Sequence, residues 1–147
     1  DMTLTNSLES RLGYQLRRAS AVMMADLGRE LAELDLRPAE VTTLLVIADN
    51  PDCSQTEVGQ ALAIKRANMV PIISRLMDRG LVDRRRLDGR SHALTLTDQG
   101  RKIADDALAR IDRHEARFAE LLGRPDSEVL FRCLPVIRAA RDVELDA

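Results

Sequence analysis

Aromatic residues are scarce in this chain of 147 residues: two Phe, one Tyr and no Trp make up 2% of it. Proteins that recognise single strands or flipped-out bases stack those bases on aromatic side chains. The sequence therefore excludes that mode of recognition and requires a core of Leu, Ile, Val, Ala and Met. A chain of this length can bury a moderate core as one domain with helical extensions.

Cysteine is also rare, and the two present, Cys53 and Cys133, lie far apart with no C-x-x-C motif. Such spacing predicts neither a disulfide framework nor a metal site, and we expect both thiols to be packing residues. No secretory signal is visible, nor a run of about 18 apolar residues that could span a membrane. The sequence thus predicts a soluble cytoplasmic protein with no membrane partner.

Patterns of catalysis, metal binding and cofactor binding are missing as well. His92 and His114 have no second ligand at the spacing of a metal site, and no nucleophile stands beside a base. We therefore predict a protein without catalytic residues, metal or cofactor, and not an enzyme.

The most informative stretch begins at Ser54. Together with Glu57 it forms a capping-box pattern, which predicts a short helix. A second helix follows almost at once and should end at Gly80, because glycine at C′ terminates helices. Two helices joined by a tight turn are typical of a helix-turn-helix. The residues expected to face inward are Val58, Ala61 and Leu62 in the first helix, and Met69, Ile72, Ile73 and Leu76 in the second.

Beyond Gly80 the pattern changes to that of β-strands. Residues 81–87 and 91–96 flank Asp88-Gly89, a dipeptide favoured in two-residue hairpin turns because Gly tolerates positive φ. A helix-turn-helix followed by a hairpin is a winged helix-turn-helix. The predicted fold is therefore mainly α with a small β-hairpin wing.

Long amphipathic helices flank this lobe. Apolar residues at steps of three and four from Asn6 to Leu34 predict a first helix of about 27 residues. Thr97 caps another long helix, to about Leu122, and Asp126 starts a final one. Their apolar stripes cannot all be buried in a monomer with one small lobe, so we expect an obligate homodimer. Residues 1–36 and 98–147 would form its dimerisation region, and residues 37–97 the DNA-binding lobe.

Charge is unevenly distributed along the chain. Between Lys65 and Arg90 eight basic residues stand against three acidic ones, a net charge of +5, whereas the whole chain carries −2 and the remainder therefore −7. A basic zone on an otherwise acidic protein fits a polyanion that touches one face only. A charge run alone more often forms a solvated surface, but its position on the second helix and hairpin favours double-stranded DNA.

Helix-turn-helix geometry predicts which side chains touch DNA. Asn68 can pair bidentately with adenine, and Arg66 can reach guanine or a phosphate. The N-terminus at Ser54 should aim backbone N–H groups at a phosphate, and on the wing we prefer Arg84 and Arg86 to Arg85. Half-sites should lie about 10 bp apart in a pseudo-palindrome. The predicted contacts are Ser54, Gln55, Thr56, Arg66, Asn68, Val70, Pro71, Ser74, Arg75, Arg84 and Arg86.

With R-L-M-D-R-G-L-V-D-R in the second helix and first strand, and L-T-L-T-D-Q-G leading into a long helix, the chain resembles the MarR family of bacterial transcriptional regulators. The similarity covers nearly all of the chain and is strongest between Ser54 and Gly100. It implies a triangular homodimer that joins through its first, fifth and sixth helices. Such a dimer represses promoters and releases DNA when a small ligand, often an aromatic acid, binds between its lobes.

The wing is shorter than in this family. Family wings usually carry an Asp and an Arg two positions apart, which Asp88 and Arg90 match. The resemblance implies that Arg90 enters the minor groove, where narrow A·T-rich grooves attract arginine, while Asp88 orients it. Asp88 is equally well explained as part of the hairpin turn, and both interpretations stay open.

A candidate effector site lies in the first helix, near the ligand cleft that the resemblance implies. Arginine and phenol side chains beside two Met residues can hold a carboxylate or phosphate next to an apolar ring. We therefore predict an aromatic carboxylate or its coenzyme A thioester as the ligand. The same residues could instead form a solvated basic patch at a subunit interface. They are Tyr14, Arg17 and Arg18.

One function of a different class stays open, that of a winged helix used as a protein-interaction or scaffold module without an operator. Outward arginines and Asn68 favour DNA over this alternative, because an acidic or apolar face would be expected for a protein partner.

Overall fold

The computed structural model describes residues 3–145, so the outermost residues of the predicted dimerisation region, 1–2 and 146–147, lie outside it. The described chain is mostly helical and carries one antiparallel hairpin, which confirms the predicted winged helix-turn-helix. Within the described residues, none of the helices is long and apolar enough to cross a membrane. The elements are α1 (Leu12–Leu31), α2 (Pro38–Asp49), α3 (Gln55–Leu62), α4 (Arg66–Asp78), β1 (Val82–Asp88), β2 (Ser91–Leu96), α5 (Asp98–Leu122) and α6 (Arg124–Arg138).

The first helix is shorter than predicted. Asn6 caps a 3₁₀ turn, Ser7–Ser10, by accepting a hydrogen bond from the backbone N–H of Leu8. Arg11 is extended (φ −100°, ψ 129°) and separates this turn from α1. A second 3₁₀ turn, Ala32–Leu34, follows α1. Apolar spacing did not reveal these breaks, because residues three apart share a face in both helix types.

The core lies between α2, α3, α4, the wing and the first half of α5. The four apolar residues predicted to face inward from α4 are all buried, with exposures from 0 to 9%. In α3, Val58 is fully buried and Leu62 half-buried, whereas Ala61 is exposed, so that part of the prediction is wrong. Gly59 is buried instead, and it packs against the side chain of Met69.

Helix ends follow the predicted capping chemistry at α3. The backbone N–H of Glu57 donates to Ser54 Oγ (3.1 Å), and the backbone N–H of Ser54 donates to Glu57 Oε1 (3.0 Å). Hydrogen bonding of the Glu57 carboxylate to the Ser54 backbone, and next to the Ser54 side chain, lowers the pKa of that carboxyl. The carboxylate therefore stays charged at the helix start, where the macrodipole favours an anion.

The end of α4 is a Schellman motif. Gly80 has a φ of +70°, and its N–H donates to the carbonyl of Met77 (2.9 Å) while the N–H of Leu81 donates to that of Leu76 (3.0 Å). Only glycine adopts this backbone geometry at low cost. The last helix differs from the prediction, since α6 begins at Arg124, two residues before Asp126.

The hairpin turn comes one residue later than predicted. Asp88 pairs with Ser91, so Gly89 (φ +46°) and Arg90 form the two-residue turn. The register shifts between Arg86 and Asp88, which leaves one extra residue in β1. An Asp-Gly pair in the sequence does not by itself predict a β-bulge.

A junction at Thr97 joins α4, the wing and α5. Thr97 Oγ1 donates to the carbonyl of Gly80 (2.6 Å) and accepts from the N–H of Gly100 (2.9 Å). The Thr97 N–H donates to the carbonyl of Leu81 (3.1 Å). A Cβ at Gly100 would lie 2.0 Å from that same carbonyl oxygen, so the helix can approach this closely only with glycine.

Hydrogen bonds and ion pairs brace α1 against α5. His114 is buried, and its Nδ1 lies 2.7 Å from Asp26 Oδ2, which also accepts from Arg117 (2.6 Å). Hydrogen bonds from Arg117 and His114 lower the pKa of Asp26 to about 2. Glu30 accepts from Arg113 and Arg117, each at 3.1 Å. Because an ionised carboxylate only accepts, His114 Nδ1 must carry the proton in this contact.

The two cysteines lie in different environments. Cys53 is buried, and burial raises the pKa of its thiol, as expected for a packing residue. Cys133 is exposed in the single chain, where no residue of α6 is buried, so its packing role remains a prediction for the dimer.

The last helix leaves a large apolar surface uncovered in the single chain. Its apolar residues with exposures of 37–74% are Val129, Leu130, Phe131, Leu134, Val136 and Ile137.

We predict that Gly100→Ala lowers the free energy of unfolding by about 2 kcal/mol or more, because its methyl group has no room beside the Leu81 carbonyl. Gly28→Ala is the matched control, since its Cβ would meet no atom within 4 Å and helix propensity should stabilise it by up to about 1 kcal/mol. Urea unfolding measures both. Equal stability of Gly100→Ala and the wild type would contradict the close approach.

Candidate nucleic-acid interface

The outward face of α4 carries most of the predicted base-contacting residues. Arg66, Val70, Pro71 and Ser74 are exposed on the side opposite the core, and Asn68 is half-buried. The face therefore combines one guanidinium, one amide, a hydroxyl and two apolar groups. This mixture can hydrogen-bond to base edges and contact thymine methyl groups in a major groove.

Residues from three elements meet beside this face. A shallow cavity of about 280 Å³ is lined by Gln55 at the start of α3, by Val70 and Ser74 of α4, and by Arg84 of β1. A second cavity, of about 290 Å³, joins Asn68, Pro71 and Arg75 to the start of α2. The fold thus brings side chains predicted separately from helix and wing onto one surface.

Arg75 has a structural contact that the sequence did not indicate. Its Nε lies 3.0 Å from Glu40 Oε2, and its Nη2 donates to the carbonyl of Asp35 (3.0 Å). Glu40 is only 3% exposed. Arg79 likewise donates to the carbonyls of Asp35 and Leu34. Both arginines therefore hold the segment before α2 against α4 in the free protein, and Arg75 is not freely available to a phosphate.

The wing arginines differ in what they contact. Arg85 pairs with Asp52 (3.2 Å), consistent with the preference for its neighbours as DNA contacts. Arg86 donates twice to the carbonyl of Gly89 (2.9 and 3.1 Å) and so holds the turn. Arg84 lies beside α4, and Arg90 is exposed at the tip. Fewer basic side chains are therefore free to contact a partner than the eight counted in the sequence between Lys65 and Arg90.

At the candidate effector site the structure brings two of the three residues together. The Tyr14 hydroxyl accepts from Arg18 Nη1 (2.7 Å) and from Asn6 Nδ2 (3.2 Å). The Arg18 guanidinium carbon also lies 5.6 Å from the Tyr14 ring centroid, within the range of a cation–π contact. Arg17 is exposed on the same helix.

A capped helix N-terminus, an outward polar face on the following helix and a basic hairpin together define a winged helix-turn-helix DNA-binding protein. Comparison with known proteins agrees. A family model described as the MarR family matches residues 34–91. An HTH-type transcriptional repressor from Mycobacterium tuberculosis is 30% identical over 128 residues, which cover 86% of this chain and 92% of that protein.

Solved structures of the transcriptional repressor CouR are similar over their full length. CouR bound to a 23-mer DNA duplex is 38% identical, has a TM-score of 0.88, and the match covers 93% of this chain and 99% of that one. CouR bound to p-coumaroyl-CoA is 35% identical with a TM-score of 0.87, over 95% and 100% of the two chains. The chain belongs to the MarR family of transcriptional regulators, which are not enzymes.

We predict that Arg75→Ala destabilises the fold, because it removes the ion-pair partner of the buried Glu40 carboxylate, which still accepts a hydrogen bond from the Arg37 backbone N–H (2.8 Å). The expected loss is about 1–3 kcal/mol, less than for a fully buried pair since the Arg75 side chain is 38% exposed. Arg66→Ala removes an exposed arginine from the same helix and should change stability by less than about 0.5 kcal/mol. Urea midpoints that are the same for the two variants would show that the ion pair has no structural role.

Proposed function

We propose that this MarR-family regulator is a repressor that binds a pseudo-palindromic operator as a homodimer and is released by a small aromatic acid or its coenzyme A thioester. DNA binding is supported by the exposed polar face of α4. It is also supported by the similarity of the fold to that of CouR bound to a DNA duplex. Such a protein would act on chromosomal DNA, which places it in the cytoplasm.

Dimerisation is supported by the apolar surface of the terminal helices. Large apolar side chains of α6 are joined as exposed residues by Leu8, Leu12 and Val22 near the N-terminus. Large exposed apolar side chains in such number are typical of a protein-protein interface. We assign residues 1–36 and 98–147 to the dimerisation region and residues 37–97 to the DNA-binding lobe, as the sequence predicted.

Recognition of DNA would divide between base contacts and phosphate contacts. Asn68 and Arg66 lie at the start of α4, the part of a recognition helix that reaches base edges. Ser54, Gln55 and Thr56 surround the N-terminus of α3, which favours a phosphate. Arg84 would contact a second phosphate from the wing.

Arg90, exposed at the wing tip, would enter the minor groove. Asp88 pairs with Ser91 where the hairpin turns, and Arg90 lies two positions further along the chain, within the turn. From that position Asp88 can orient Arg90 or support the turn, and we retain both roles as proposals.

We predict that Asn68→Ala and Arg84→Ala affect DNA binding in different ways. Asn68→Ala should relax sequence preference at one position, at a cost of about 1–3 kcal/mol on the operator. Arg84→Ala should weaken all duplexes alike and reduce the slope of log K against log salt by about 1. Fluorescence anisotropy on the duplex upstream of the gene and on a random duplex measures both effects.

The control for these DNA-binding variants is Arg29→Ala, which removes an exposed charge of α1 away from the interface. It should bind both duplexes like the wild type. The assigned roles would be contradicted if Asn68→Ala and Arg84→Ala each lost the same amount of affinity for the operator duplex as for the random duplex.

The effector part is supported by the Tyr14–Arg18 contact and by the similarity to CouR bound to p-coumaroyl-CoA. In the free chain the guanidinium of Arg18 is held by a phenol, a neutral partner. A ligand carboxylate or phosphate is a stronger partner, because charge-assisted hydrogen bonds are about twice as strong as neutral ones. Arg17, Met23 and Met24 would complete the site.

We predict that Arg18→Ala weakens binding of an aromatic acid or aryl-coenzyme A thioester by roughly tenfold or more, which is the loss expected for a hydrogen bond to a charged group. Calorimetry with p-coumarate and p-coumaroyl-CoA distinguishes the acid from the thioester, and Arg29→Ala again serves as the control. The proposal fails if neither compound binds the wild type, or if Arg18→Ala binds both unchanged.

A further inference from the structure

The segment that follows α6 returns to the helix-turn-helix. The backbone N–H of Leu145 donates to the carbonyl of Ala63 (2.6 Å), and Leu145 forms a parallel β-bridge with Ile64. Ala63 is the left-handed residue (φ +56°) that ends α3 and opens the tight turn before α4. The C-terminal segment is therefore held to the turn of the DNA-binding motif by main-chain contacts.

Two carboxylates of this segment share a cavity with predicted DNA contacts. The cavity has a volume of about 490 Å³, and its walls include Gln55 and Thr56 of α3 and Arg66 of α4. Asp142 and Glu144 line it from the C-terminal side. Two negative groups thus lie beside the α3 N-terminus, which is proposed to bind a phosphate, and beside Arg66, which is proposed to reach base edges.

We propose that residues 142–145 form an autoinhibitory tail, which occupies the entrance to the DNA-binding surface and must leave before a duplex binds. This inference rests on the proposed DNA-binding function. The tail carboxylates repel phosphates and attract Arg66, while the hydrogen bond to Ala63 fixes their position. The charge repulsion and the fixed position of the segment both disfavour DNA binding, while the rest of the outward face of α4 stays uncovered.

The tail is held weakly enough to be displaced. Its described contacts with the turn are main-chain ones, and the Leu145 side chain remains 60% exposed. A tail that is closed in most molecules raises the apparent Kd in proportion to the reciprocal of the open fraction. Closed fractions of roughly 70 to 90% would therefore weaken DNA binding by about three- to tenfold.

Charge removal is the first test. Asp142→Asn/Glu144→Gln should lower the Kd for the duplex upstream of the gene by about three- to tenfold, the factor expected if the tail is mostly closed in the wild type. The matched control is Asp112→Asn/Glu120→Gln, which neutralises the same two residue types at exposed positions of α5. A specific tail effect requires the first variant to bind more tightly than the control.

Removal of the hydrogen bond is the second test. Leu145→Pro eliminates the donor to Ala63 and leaves every charge in place, so it should also tighten DNA binding. In the DNA-free wild type, the Leu145 amide should exchange with deuterium about three- to tenfold more slowly than in an unstructured peptide, as closed fractions of roughly 70 to 90% require. This protection should be lost when DNA is added. Thermal unfolding in parallel confirms that each variant is folded.

The outcomes separate the two proposals. If the wild type binds DNA but both tail variants bind no better than the control, the autoinhibitory tail is refuted and the proposed function stands. If tail variants bind DNA where the wild type does not, both proposals are supported. If no folded variant binds any duplex, the DNA-binding function fails and the tail proposal fails with it.

Discussion

The close approach of Gly100 to the carbonyl of Leu81 sets the direction of α5 relative to α4. Because Thr97 hydrogen-bonds to both Gly80 and Gly100, the end of the recognition helix, both wing strands and the start of the long helix form one unit. A shift of α5 must therefore move α4 and the wing as well. This coupling is what a regulator needs if a ligand bound far from DNA is to change the spacing of two recognition helices.

The candidate effector site lies on α1, and α1 is attached to α5 rather than to the recognition helix. Asp26 contacts His114 and Arg117, and Arg110 reaches the carbonyl of Glu30 (3.1 Å). A ligand that displaces the Tyr14–Arg18 contact thus acts on a helix that is braced to α5, and α5 begins at the Thr97 junction. These contacts connect the candidate effector site on α1 to the proposed DNA-binding surface through hydrogen-bonded elements. A ligand changes DNA binding through them by binding two states of the protein with different affinity.

Local chemistry made most of the fold predictable. Capping at Ser54 and Thr97, the glycine at position 80 and the spacing of apolar residues in α4 depend on neighbours within a few positions, and all are present in the structure. Contacts between distant residues were not predictable. Arg75 pairs with Glu40, and His114 with Asp26, although nothing in either local sequence marks a partner. The same limit explains why the charge count overstated the surface available to DNA and why the C-terminal contact with Ala63 went unnoticed.

In the proposed function, two copies of α4, each held by its own α5, contact one face of a duplex one helical turn apart. Hydroxyl-radical footprinting of the upstream duplex measures this spacing directly. We expect a two-fold symmetric pattern of protection with half-site centres about 10 bp apart, which disappears when the effector binds. Protection of a single half-site, or an asymmetric footprint that persists as dimer concentration rises, would contradict it.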